Sequence, residues 1–224
     1  MNLTIDSNVA QITKKLKRAQ RVKIPSATRN ALNSLAKQTA NNLKEKLPLY
    51  IKNPTPFTKK GIRFQETDKS KLKARVGFLS KSWNGFKGGN MNHGGRLPGD
   101  YMNLPWKGGT RLPDKRVITV PAKSQKLNKF GNLRRGLISQ YLGDTAKYFQ
   151  GIPKGIRDKE ANGIWKRMGK KGQKNIVMMI AYEEKTEYKK IYPFGQQVSK
   201  SVRDNFRRIF EAQLTNVLAK EGLL

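Results

Sequence analysis

The chain has 224 residues, 47 lysines and arginines against 15 aspartates and glutamates, a formal charge of +32, one histidine and no cysteine. That length fills one core comfortably and falls short of two, so a single domain over 1–224 is the expectation. Without cysteine there is no disulfide framework and no thiolate metal site, and the charge excess points to polyanions as partners, whether nucleic acid, acidic membrane or acidic protein.

The chain opens on a short basic segment with Asp6 and Ser7 as caps and Val9, Ile12, Leu16 and Ala19 at helical spacing. No N-terminal apolar run is seen in this opening, which with the missing cysteines leads to the expectation of a protein that is made and used in a reducing compartment or tolerates one. Pro25 and Ser26 then open a second helix, whose apolar positions Leu32, Leu35, Ala36, Ala40, Leu43 and Leu47 recur every three or four residues until Pro48 stops it. Two alternating runs follow, 62–67 and 72–79, joined by the polar turn DKSK and read as a hairpin. In the second run Leu72, Ala74, Val76 and Phe78 share one face and Lys71, Lys73 and Arg75 the other.

From Trp83 to Pro113 the chain is dense in Gly, Asn and Pro, and 83–113 reads as an extended loop or arm inserted in the domain. Its aromatics Trp83, Phe86, Tyr101 and Trp106 either dock on a partner or fold back on their own domain. Beyond the arm, 117–120 reads as a strand and 132–142 as a short helix with Asn132 as cap and Gly143 as stop. Strands are expected at 148–152, 163–168 and 175–183, and a closing helix at 198–220 with Val198, Val202, Phe206, Ile209, Phe210, Leu214, Val217 and Leu218 as its stripe. There is no internal repeat, and helices, then strands, then a helix make the fold class α+β. The longest apolar run, 176–182, is far too short to cross a bilayer.

The stretch YFQGIPKGIRDKEANGIWKRMGKKG, 148–172, invites a phosphate-loop reading that its spacing defeats. Gly163 and Gly169 stand one residue too far apart for a Walker loop, and Lys170 is followed by Lys171 instead of a hydroxyl. Pro113-Asp114 and Glu183-Glu184-Lys185 imitate a metal-dependent nuclease pattern, but in so lysine-rich a chain an E-x-K triplet arises readily by chance. His93 has no Cys or close carboxylate beside it for zinc or a catalytic triad. No cofactor, metal or catalytic residue is expected. Diffuse positive charge without a zinc finger, RNP-like strand or GXXG clamp supports salt-sensitive, sequence-independent DNA contact as the alternative function.

The order of the pieces carries one resemblance. PSATRNALNSLA in the N-terminal helix, a basic strand pair, GNLRRG before a short helix, YFQGIP, GIWKRMG, an apolar strand, IYPF and a final amphipathic helix together resemble the minor tail protein Z or tail-completion family of tailed bacteriophages. The matching pieces cover 25–47 and 131–218. The resemblance implies long terminal helices packed on a small, mostly antiparallel sheet, no catalytic residues, and a virion protein at the head-tail neck or upper tail that completes the tail and joins it to the DNA-filled head. It also implies a location in the virion after assembly in the bacterial cytoplasm, several copies in a ring, and connector, terminator, tail-tube or portal proteins as neighbours. The stretch 83–113 is longer than that pattern. On this reading Trp83, Phe86, Tyr101 and Trp106 are the partner-docking residues, and Arg134, Arg135, Lys170, Lys171, Arg203, Arg207 and Arg208 supply electrostatic docking.

Overall fold

The computed structural model describes residues 9–67, 71–80, 97–113, 117–169, 175–220 and 222. The chain divides into two compact units, one made of Met1–Tyr50, Pro56–Met102 and Pro193–Leu224, the other of Ile51–Thr55 and Asn103–Tyr192. Helices and small antiparallel sheets together make the fold α+β, with a long helix at each end of the chain.

The first unit is built on two long helices. Helix α1 (Val9–Arg18) runs through a π-helical turn (Ala19–Lys23) into α2 (Ile24–Lys46), and a 3-10 turn (Leu47–Leu49) follows. The expected break before Pro25 is therefore a change of helical pitch, not a fresh start: Lys23 is itself helical (φ −83°, ψ −41°) and makes no side-chain cap. Pro25 has no N–H to close an α-turn, and its ring crowds the carbonyl four residues back. A wider π turn relieves both problems without ending the helix. Helix α6 (Phe194–Lys220) begins four residues ahead of the expected 198. It runs antiparallel to α2, because Thr39 bonds Ser201 (2.7 Å) while Gln38, one residue earlier, reaches Asn205, four residues later.

A hairpin packs on α2. Its strands β1 (Ile62–Gln65) and β2 (Arg75–Phe78) pair from Ile62↔Phe78 to Gln65↔Arg75, shorter than the runs in the sequence. The Thr67 hydroxyl donates to the Lys71 carbonyl and accepts the Lys73 N–H (3.1 Å), so a side chain replaces the next ladder rung. Asn33 of α2 accepts the Thr67 N–H (2.8 Å) and ties the turn to the helix. Ile62, Leu43, Leu47, Ala27, Ala31 and Ala40 are wholly or almost wholly buried, and Phe78 meets Phe194 with ring centres 5.6 Å apart. The five-residue helix α3 (Pro56–Lys60) leads into β1.

Within 83–113 the loop expectation fails over 98–111. Helix α4 (Pro98–Lys107) forms there, followed by strand β3 (Gly109–Arg111). Proline at the first helical position has the right φ already and no N–H to leave unpaired. Asp100 reaches back to accept the Leu97 N–H (2.9 Å), half of a capping box. The Gly99 N–H donates to the Leu79 carbonyl (2.7 Å), and a Cβ on Gly99 would lie 2.9 Å from that oxygen, so this glycine serves a close approach and not a loop.

In the second unit, β3 pairs with β8 (Thr186–Tyr188), a strand the sequence did not announce. The main sheet is fully antiparallel, in the order β4 (Ile118–Pro121), β7 (Asn175–Glu183), β6 (Gly163–Met168), β5 (Tyr148–Gly151). Between β6 and β7 the register slips after Ile164↔Ile180 to Trp165↔Met178, leaving Met179 as a bulge. Gly163 sits where a Cβ would be 2.1 Å from the Ile180 carbonyl oxygen, which demands glycine. Helix α5 (Leu137–Gly143) is shorter than expected at its start. Gly136 takes φ +77°, so 132–136 is a turn and the helix begins at Leu137. Leu137 and Tyr141 of α5 pack on Ile164 and Ile180 to form the core.

Candidate functional site

Trp83 and Phe86 lie outside the described residues, as do Lys170, Lys171, His93 and Asp114. The two remaining aromatics stand on α4. The Tyr101 hydroxyl bonds Thr58 (2.9 Å), and burial pushes its pKa above the usual 10.0, so this ring is spent on its own unit. Trp106 is half-buried, with Lys107 Nζ 5.2 Å from its ring centre. Five residues of helix turn the two side chains roughly 140° apart, so they do not share a docking face.

The basic residues divide between the units. Arg134 and Arg135 are exposed in the turn before α5, and Arg134 donates to Gln140 Oε1 at 2.5 Å. On α6, Arg203 stands 3.7 Å from Asp204, Arg208 donates to Asn205 at 3.4 Å, and Arg207 meets Glu211 at 2.7 Å. The Glu211 hydrogen bond and its charge raise the Arg207 pKa, which leaves the guanidinium charged at every relevant pH. Such exposed pairs are worth little individually, and all three arginines still face water. These positions keep their charge available, as a solvated surface or a docking rim requires.

The furrow between α2 and α6 has chemistry the sequence did not single out. Thr39, Asn42, Lys46, Gln197, Lys200 and Ser201 line a cavity of about 110 Å³. Both polar atoms of the Gln197 amide are buried there without a hydrogen-bond partner. The volume equals roughly three to four waters and is well below that of a small-molecule site. Its polar lining continues the polar side of the helix contact, where the buried Thr39–Ser201 pair and the Gln38–Asn205 bond also lie.

In the second unit one cation has a structural role. Arg167 Nη1 lies within bonding distance of the Thr145 (2.7 Å), Ala146 (3.2 Å) and Tyr148 (2.8 Å) carbonyls, with its guanidinium carbon 4.8 Å from the Phe149 ring centre. It gathers the backbone leading into the edge strand β5, which blunts that edge. The sequence signal was present only as a basic residue across from an aromatic pair.

The carboxylates offer little to a metal. Glu183 accepts the Thr186 hydroxyl (2.9 Å) where β7 turns toward β8, and no group of three His, Cys, Asp or Glu residues able to hold an ion occurs among the described residues. No helix among the described residues is long and apolar enough to cross a membrane. Comparison with protein-family models, curated proteins and solved structures gives no match to this chain.

Proposed function

We propose that this chain is a structural virion protein of a tailed bacteriophage, a non-catalytic subunit at the head-tail neck or upper tail that completes the tail and joins it to the DNA-filled head. The observation that carries the reading is the order of motifs from 25–47 to 131–218, which resembles the tail-completion family, on a chain whose long terminal helices and small antiparallel sheets have the architecture that family implies. The charge of +32 supports it: a subunit so basic resists joining its own copies until acidic neighbours or packaged DNA neutralise it. Copies then close into a ring through one repeated heterologous contact. Its neighbours are connector, terminator, tail-tube or portal proteins.

The same charge favours a second reading, sequence-nonspecific DNA binding. Incubating the purified chain with tail tubes and connector complexes, beside duplex DNA over a salt series, separates the two. Co-sedimentation with the particles at physiological salt is the expected result. Tight DNA binding at that salt without incorporation into particles sinks the structural reading.

A further inference from the structure

Residues 9–44 hold nine lysines and arginines and no carboxylate. Six of the nine, Lys14, Lys15, Lys17, Arg18, Arg21 and Lys23, crowd α1 and the π turn. Amid them three large apolar side chains stand in water, Leu16 at 55 %, Val22 at 56 % and Ile24 at 40 % exposure. Scattered exposed apolar residues are ordinary on a protein surface. Val22 is such a case, but Leu16 and Ile24 are not, because helical phase puts those two in line with the core. One α turn and one wider π turn together take about eight residues, so Leu16 lies above Ile24. From Ile24 the same stripe continues through the wholly buried Ala27 and Ala31 to Leu35. The core stripe of α2 thus runs on to the exposed Ile24 and Leu16.

Its cover ends for a geometric reason. With Thr39 beside Ser201 and the helices antiparallel, the last turn of α6 falls near residue 20, and α6 does pack against the π turn. A Cβ on Gly222 would lie 3.9 Å from Lys15 Nζ. Beyond that point α1 continues past the end of α6. The final turns of α6, 212–219, carry no charge, and Leu214, Val217 and Leu218 are only half-buried. Exposed apolar side chains, Leu16 and Ile24, and the half-buried Leu214, Val217 and Leu218 thus lie at the end of the unit where α6 meets the π turn, among the cations of α1 and that turn.

We propose that this apolar face of α1 and the start of α2, set among cations, is a docking surface for an amphipathic helix of a partner protein whose apolar stripe is flanked by Asp and Glu. The assignment holds whether or not the partner is a virion protein. A second copy of this chain is disfavoured, since it would set like-charged surfaces against each other. Duplex DNA satisfies the cations but leaves Leu16, Ile24 and the α6 leucines without apolar contact.

The test uses the full chain and a synthetic helix of about three heptads, with Leu at its core positions and Glu beside them, against the same helix with Lys for Glu. The acidic helix binds at physiological salt and the lysine helix does not. Leu16→Ser with Ile24→Ser, both exposed and so compatible with folding, weakens binding by about tenfold or more. Lys14→Glu with Lys17→Glu loses the acidic helix and gains the lysine helix, a swap that misfolding cannot produce. The proposal is overturned if the serine variant binds unchanged, if the lysine helix binds the native chain equally well, if only duplex DNA binds, or if the chain self-associates through this face.

Discussion

At the scale of single residues, Tyr141 shows how one side chain holds a core and a pH limit together. Its ring stacks on Tyr148 at 4.2 Å and packs with Ile164 and Ile180, while its hydroxyl donates to the buried Gln125 Oε1 at 2.8 Å. Gln125 spends its own Nε2 on the Lys126 carbonyl (2.7 Å), so Tyr141→Phe leaves Oε1 without this donor, at a cost of about 1–2 kcal/mol. Burial, and next the proximity of Tyr148, push the Tyr141 pKa above 10.0. Above pH 10.0 the unfolded tyrosine loses its proton first, the native state binds more protons, and stability falls as pH rises toward the folded value. Below pH 10.0 that contribution is whole. Tyr101 and Tyr182 are raised by burial too, so Tyr141→Phe makes the alkaline decline shallower without removing it. Urea midpoints measured from neutral pH to beyond 10.0 check this; identical slopes in the two proteins refute it.

At the scale of elements, the seam between α2 and α6 is held in register by its polar contacts. Thr39→Val strands the Ser201 hydroxyl, and Ser201→Ala strands Thr39, each costing about 1 kcal/mol or somewhat more. Because the two losses are one bond, the double variant costs less than their sum, and a double-mutant cycle in urea reads the difference. Strict additivity means the contact carries no coupling. Elements like these were legible in the sequence to different depths. Strands β6 and β7 match the sequence expectation residue for residue, since β-rich runs are bounded by Gly and Asn. Helix α4 was hidden because Pro98 and Gly99 read as loop composition, whereas one presets a helix start and the other admits the Leu79 carbonyl. Strands β3 and β8 are three residues each and find each other across more than seventy residues, a pairing no local pattern announces. Of the residues expected to dock, the charges were legible, but not the intramolecular partners they meet. Helical phase through a π turn decides that Leu16 and Ile24 share a face, and a strict α-period places them off line.

At the scale of the whole molecule, the formal charge of +32 is spread over segments that mostly lack acids, so like charges meet within each unit as well as along the chain. Self-repulsion of this kind destabilises the compact state and is relieved by screening, since the Debye length falls from about 30 Å at 0.01 M salt to about 10 Å at 0.1 M. Thermal stability therefore rises with sodium chloride, a salt chosen because sulfate also strengthens apolar burial and confuses the cause. For a chain of this length each kcal/mol is worth about 2–4 °C, and a gain of about 5 °C between low salt and half-molar chloride is expected. A polyanion such as polyglutamate acts at far lower concentration, because it binds the folded cationic surface instead of merely screening it. Differential scanning calorimetry over both series decides the matter. If melting temperature is flat in chloride, the charges are already balanced by local geometry, and the need for an acidic partner as the source of stability falls with it.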